Sequence, residues 1–218
     1  DIAHWWPKHG KSMDTFRADV KAALNKNFKS ISLNSDIIIS SPILVTNTLE
    51  FNLGNYNITA PSTDAFEVLG ELTINGNGKV SAGTKQNETG SVCAVWAHKG
   101  GKVIINGGHY TVGPDKNNKR NDCIYAGSNA SVTDGTITIN GGKFEFVAPE
   151  GYTGENGDKF LINGADKTNS RITIAGGEFK NYVPGKEFVA PAGKEEIVLL
   201  DNNKKVYNNG TEVTSAHS

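Results

Sequence analysis

Ile137-Thr-Ile-Asn-Gly-Gly-Lys143 is one of four similar phrases in the chain, beside Leu72-Thr-Ile-Asn-Gly-Asn-Gly-Lys79, Val103-Ile-Ile-Asn-Gly-Gly-His109 and Ile172-Thr-Ile-Ala-Gly-Gly-Glu178. Each alternates apolar and polar residues with the period of a strand, then runs into a glycine turn. The central isoleucines, Ile74, Ile105, Ile139 and Ile174, lie 31, 34 and 35 residues apart. A unit of that size cannot bury its own apolar face, so the copies must stack.

Working outward, each phrase has a second strand ahead of it. These align as Ala65-Phe66-Glu67-Val68, Ala94-Val95-Trp96-Ala97, Cys123-Ile124-Tyr125-Ala126 and Phe160-Leu161-Ile162-Asn163. A third strand follows each glycine turn and starts at Val80, Tyr110, Phe144 or Phe179. Three short strands per turn with loops of variable length describe a parallel β-helix. Alternation sends Phe66, Val95, Ile124 and Leu161 into the bore, with the four isoleucines and the third-strand residues on the other two walls. Glu67, Trp96, Tyr125 and Ile162 then form an outward column. Asn75, Asn106 and Asn140 fall at one place in three coils and predict a stacked amide column, which Ala175 breaks. Between Lys29 and Ala60 the strands Ile31–Leu33, Ile37–Ile39, Ile43–Val45, Leu49–Leu53 and Tyr56–Ile58 read as leaner coils.

The ends read differently. Residues 1–11 read as irregular, with Trp5, Trp6 and Pro7 forming an aromatic knot beside His4 and His9. Ser12 to about Asn25 predicts a helix: Ser12 serves as N-cap, and Met13, Phe16, Val20 and Leu24 form one stripe that caps the first coil. From Pro184 the repeat stops, and alternating segments around Asp201-Asn-Asn and Asn208-Asn-Gly predict a hairpin or small meander over the last edge. The expected organisation is an all-β, right-handed parallel β-helix of about six coils. An arm and capping helix occupy 1–28, the solenoid 29–183, and a C-terminal β cap and tail 184–218.

Composition narrows the chemistry. Lys plus Arg (22) balances Asp plus Glu (23), and only Arg17, Arg120 and Arg171 are arginines, so neither nucleic acid nor an anionic membrane is an expected partner. No run approaches the ~18 apolar residues of a spanning segment, so no membrane insertion is expected. Cys93 and Cys123 align one position out of register across neighbouring coils, which predicts free thiols. The five histidines show no metal-ligand spacing. Glu67 is the only acid in its column, so the facing carboxylates of a glycosidase are missing there. No metal, cofactor or catalytic residue is expected.

The phrases Ile-Thr-Ile-Asn-Gly-Gly-x-Phe, Asn121-Asp-Cys-Ile-Tyr125, Phe160-Leu-Ile-Asn163 and Phe188-Val-Ala-Pro-Ala-Gly193 resemble the right-handed parallel β-helix of the pectin-lyase-like superfamily. More narrowly, they resemble its non-catalytic forms in gut-bacterial surface proteins and in virion proteins of their phages. Pectate lyases of the superfamily carry calcium-holding acids and an arginine base on one outer wall. Here Asp115, Asp122, Asp134, Asp158 and Asp166 lie in loops, and Arg120 and Arg171 occupy no equivalent columns. The resemblance therefore implies a structural or adhesive module: a virion component such as a head fibre, capsid decoration or tail spike, partnered by other subunits or virion proteins, with a homotrimer as one arrangement. The alternatives are a carbohydrate-binding adhesin module on the bacterial surface, or secreted, and a polysaccharide lyase or glycoside hydrolase. The candidate contact or glycan surface is Trp5, Trp6, Glu67, Trp96 and Tyr125. For its outward aromatics three readings stand open: subunit contact, cover by loops 83–92 or 113–121, and sugar stacking.

Overall fold

The turn after each central isoleucine sets the shape of a coil. In the computed structural model, Gly108, Gly142 and Gly177 hold φ of +106°, +107° and +120°, a region that residues with a side chain rarely adopt. A Cβ at Gly142 would also stand 3.3 Å from the Phe144 ring, and one at Gly177 would stand 3.2 Å from the Phe179 ring. Bare glycine thus lets the chain turn tightly over the ring two residues on. A second close approach occurs where the third wall of one coil meets the first wall of the next. A Cβ on Gly101 would lie 1.9 Å from the Val68 carbonyl oxygen, and one on Gly135 would lie 2.0 Å from that of Ala97. No side chain fits at either corner.

The structure describes residues 4–5, 29–85, 88–127, 135–152, 161–164, 171–182, 197–200, 206–208 and 211–212. They form three sheets. Wall A stacks Ser30–Ser32, Thr48–Asn52, Glu71–Asn75, Lys102–Ile105, Thr136–Ile139 and Arg171–Ile174, each parallel to the next. Wall B stacks Ile37–Ile38, Ile58–Ala60, Lys79–Ala82, His109–Val112, Lys143–Phe146 and Gly177–Lys180 in the same way. Wall C stacks Ile43–Val45, Phe66–Val68, Val95–Ala97, Ile124–Ala126 and Ile162–Gly164. The chain visits A, B and C in turn, which is the arrangement of a parallel β-helix. Among the described residues there is no helix. The expected helix over 12–25 and its apolar stripe lie outside them.

The predicted faces hold except in the last strand of wall C. Ile74, Ile105, Ile139, Phe66, Val95, Ile124, Val80, Tyr110, Phe144 and Phe179 are all buried in one continuous core. On wall B three rings stack coil upon coil: Tyr110 on Phe144 at 5.1 Å and 8°, and Phe144 on Phe179 at 5.1 Å and 11°. Phe51 of wall A meets Phe66 of wall C edge to face, tying two walls together across the bore. Burying each such side chain contributes roughly 1.5–3 kcal/mol.

The amide column also forms, one member longer than expected. Asn140 Nδ2 donates to Asn106 Oδ1 at 2.9 Å, Asn106 to Asn75 at 2.8 Å, and Asn75 to Asn52 at 3.2 Å. Asn52 ends the run by donating to the Ser30 and Ser32 hydroxyls.

Two expectations need correction. Ile124 pairs with Ile162 rather than Leu161. Leu161 falls at the corner position of Cys123 and Ala94, and all three are buried there. The N-terminal stretch is not wholly irregular, because His4–Trp5 is a strand parallel to wall A, with Trp5 in register with Ile31. At the other end Ile197–Leu200 pairs antiparallel with Gly177–Lys180 of wall B, then with Val206–Asn208, and that with Thr211–Glu212.

Candidate contact surface on wall C

Wall C strands are three residues long, so only the middle residue of each faces outward. Register therefore decides what this wall presents: Leu44, Glu67, Trp96, Tyr125 and Asn163 in one column. Three of the candidate residues, Glu67, Trp96 and Tyr125, are brought together as expected. Ile162 does not belong to the column. The one-residue slip turns it inward, where it is buried, and puts Asn163 in its place. Trp5 lies along the edge of wall A, away from this column, and Trp6 is outside the described residues.

Trp96 is held from two sides. Its indole Nε1–H donates to the Gly127 carbonyl at 2.8 Å, and the His98 ring lies parallel to it, 3.7 Å between centroids and 6° between planes. His98 is in turn fixed by Glu67, whose Oε1 lies 2.7 Å from Nε2. An ionised carboxylate only accepts, so Nε2 carries the proton in that bond. His98 is 4% exposed, while Glu67 keeps about a quarter of its side chain in solvent. The cover on Trp96 thus comes from a residue two positions along its own chain.

A second polar group lines the corner before wall C. Asp64 Oδ1 accepts the Cys93 backbone N–H at 2.7 Å and lies 3.4 Å from its Sγ. Burial raises the Asp64 pKa above its ordinary value, and the Cys93 hydrogen bonds pull against that shift. Asn121 Oδ1 accepts the Val92 N–H while its Nδ2 donates to the Gly113 carbonyl. One coil further, Asn163 Nδ2 donates to Asp122 Oδ2 at 3.0 Å. Cys93 and Cys123 are free and buried, and desolvation pushes both thiols well above their ordinary pKa, with nearby carboxylates adding to the shift.

The wall therefore presents a rigid strip of mixed character: half-exposed Leu44, a carboxylate, an indole with one face covered, a phenol and an amide. Sequence reasoning missed His98, Leu44, Asn163 and Asp64. A signal existed for His98, since a residue two beyond Trp96 shares its face at strand period. Among the described residues no group of three or more His, Cys, Asp or Glu is placed to hold a metal ion, and no helix is long and apolar enough to cross a membrane. No protein-family model matches the chain, and no curated protein or solved structure matches it either.

Proposed function

We propose that this chain is a non-catalytic β-solenoid that acts through assembly and surface attachment, as a virion component of the head-fibre, capsid-decoration or tail-spike kind. The observation that carries the reading is how its outer polar groups are used. Asn52, Asn75, Asn106 and Asn140 bond coil to coil, Glu67 holds His98, Asp64 holds Cys93, and Asp36 accepts the Asn57 N–H. Acids and amides committed to joining neighbouring coils are the furniture of a scaffold. The virion placement, and membership of the pectin-lyase-like superfamily, rest on the resemblance of the repeat phrases. The solenoid is taken as right-handed, because parallel crossovers within a sheet almost always are. The coil number is taken as about six, a reading supported by five strand triplets and the pair Arg171–Ile174 and Gly177–Lys180.

The test is incubation of the purified chain with a panel of acidic and neutral polysaccharides, following new reducing ends and unsaturated products. No depolymerisation is expected. Cleavage of any member at enzymatic rates would replace this reading with a lyase or hydrolase.

A further inference from the structure

Arg120 packs over an aromatic ring instead of forming an ion pair with an acid of the described residues. Its guanidinium carbon lies 4.7 Å from the centroid of the Phe146 ring, and Tyr152 packs against the same ring at 5.4 Å and 56°. Among the described residues no carboxylate pairs with it. It is nonetheless half-buried. Desolvation lowers its pKa, and the Tyr152 phenol offsets part of that. A desolvated guanidinium without a counter-charge is unfavourable unless something supplies one.

The neighbourhood is also held rigid. Asp115 Oδ1 accepts the N–H groups of Asn117 and Lys119, and Pro114 bridges to Arg120 across the base of the loop. The Lys116 N–H donates to the Thr89 carbonyl on one side, and the Tyr152 hydroxyl donates to the Asn118 carbonyl on the other. Little ordering remains to be done when a partner arrives. Lys116 and Lys119 stand exposed on the same loop, and Val147, next to Phe146, is 41% exposed.

We propose that Arg120, Phe146 and Tyr152 form a docking site for a carboxylate side chain of a partner polypeptide. The inference rests on the assembly reading above and names its surface. The planar guanidinium fork matches a carboxylate in two parallel hydrogen bonds, and its aromatic backing keeps it in place. Arginine, aromatics and an exposed aliphatic around one desolvated charge are the make-up of a protein-contact hot spot. A sugar would need several free acceptors for its hydroxyls, whereas the Asn118 carbonyl and Asp115 Oδ1 are already engaged.

The probe is a fluorescein-labelled Gly-Glu-Val-Asp-Gly peptide against its Gln/Asn isostere, titrated with the whole chain and read by polarisation. The acidic peptide should bind at least tenfold more tightly than the amide peptide. Arg120→Gln should abolish that preference, with Lys116→Gln/Lys119→Gln retaining most of it. The acid-against-amide comparison on the unmodified protein needs no variant to fold. Equal binding of the two peptides, no binding up to millimolar concentration, or an unchanged preference in Arg120→Gln would overturn the proposal. Arg120-dependent binding of oligogalacturonate without binding of the acidic peptide would also overturn it, in favour of an acidic glycan. Because free peptides are used, failure here leaves the solution mass, which tests assembly itself, unaffected.

Discussion

The Trp96 indole and the His98 imidazole lie face to face, 3.7 Å apart and within 6° of parallel, although the two residues are separated by only Ala97. This contact converts an outward tryptophan into a fixed part of the wall, with Glu67 as the anchor on the previous coil. Stacked aromatic pairs contribute about 0.5–1.5 kcal/mol beyond their buried area, and a hydrogen bond to a charged group about 1.5–3 kcal/mol. His98→Ala should therefore destabilise the fold by about 2 kcal/mol in urea denaturation. In a double-mutant cycle, Trp96→Ala and His98→Ala should couple by at least about 0.5 kcal/mol. Strict additivity would show that the stack carries no energy of its own.

The amide column predicts a ranking. Asn106 both donates to Asn75 and accepts from Asn140, whereas Ala175 stands in place of an amide beyond Asn140. Asn106→Ala breaks two rungs and Asn140→Ala one, at about 0.5–1.5 kcal/mol each. Denaturant midpoints should fall in that order, and an equal or larger loss for Asn140→Ala would mean the rungs are not the source of stability.

Ile139 is fully buried, and Thr138 beside it faces outward between Ile104 and Thr173. Ile139→Asp places an unpaired carboxylate in the bore and should unfold the chain, while Thr138→Asp should shift the melting temperature only slightly. Circular dichroism melts of the two variants separate these outcomes, and similar melting temperatures would contradict the inward and outward assignment.

The thiols give a pH dependence with a definite sign. Burial holds the folded-state pKa of both Cys93 and Cys123 well above the ordinary thiol value, so the native state keeps protons that the unfolded state gives up. Their stabilising contribution is complete below the ordinary thiol pKa and is lost as pH rises above it. Stability should decline on the alkaline side of that value, and Cys123→Ala should flatten the decline. Alkylation near pH 8 should label neither thiol in the native protein and both after denaturation. Rapid labelling of native protein would show that the corner before wall C is open.

Most of the wall assignments were legible because a central isoleucine, a glycine turn and, in three of the four phrases, an Asn between them recur at nearly the same offsets. Those offsets are enforced physically. The positive-φ glycine, the ring it passes over and the rung of the amide column must each sit above their counterparts in the next coil. Wall C lacks that protection. Its distance to the next central isoleucine varies from Phe66 to Ile74, Val95 to Ile105, Ile124 to Ile139 and Ile162 to Ile174, so no fixed count carries register across. With Leu161 and Ile162 both apolar, hydrophobicity alone could not choose between them, and pairing with Ile124 did. Asn52 escaped notice because Leu53 separates it from its glycine, while the other three Asn residues precede theirs directly. The two-residue strand His4–Trp5 is too short to carry a pattern and is defined only by its partner, Ser30–Ser32.

The measurement that bears most directly on the central claim is the mass of the intact chain in solution by light scattering across a wide concentration range. One copy weighs 23.3 kDa. A protein that acts through assembly should show a defined multiple of that mass, stable on dilution. A particle of 23.3 kDa at every concentration, up to those at which weak contacts form, would contradict the account.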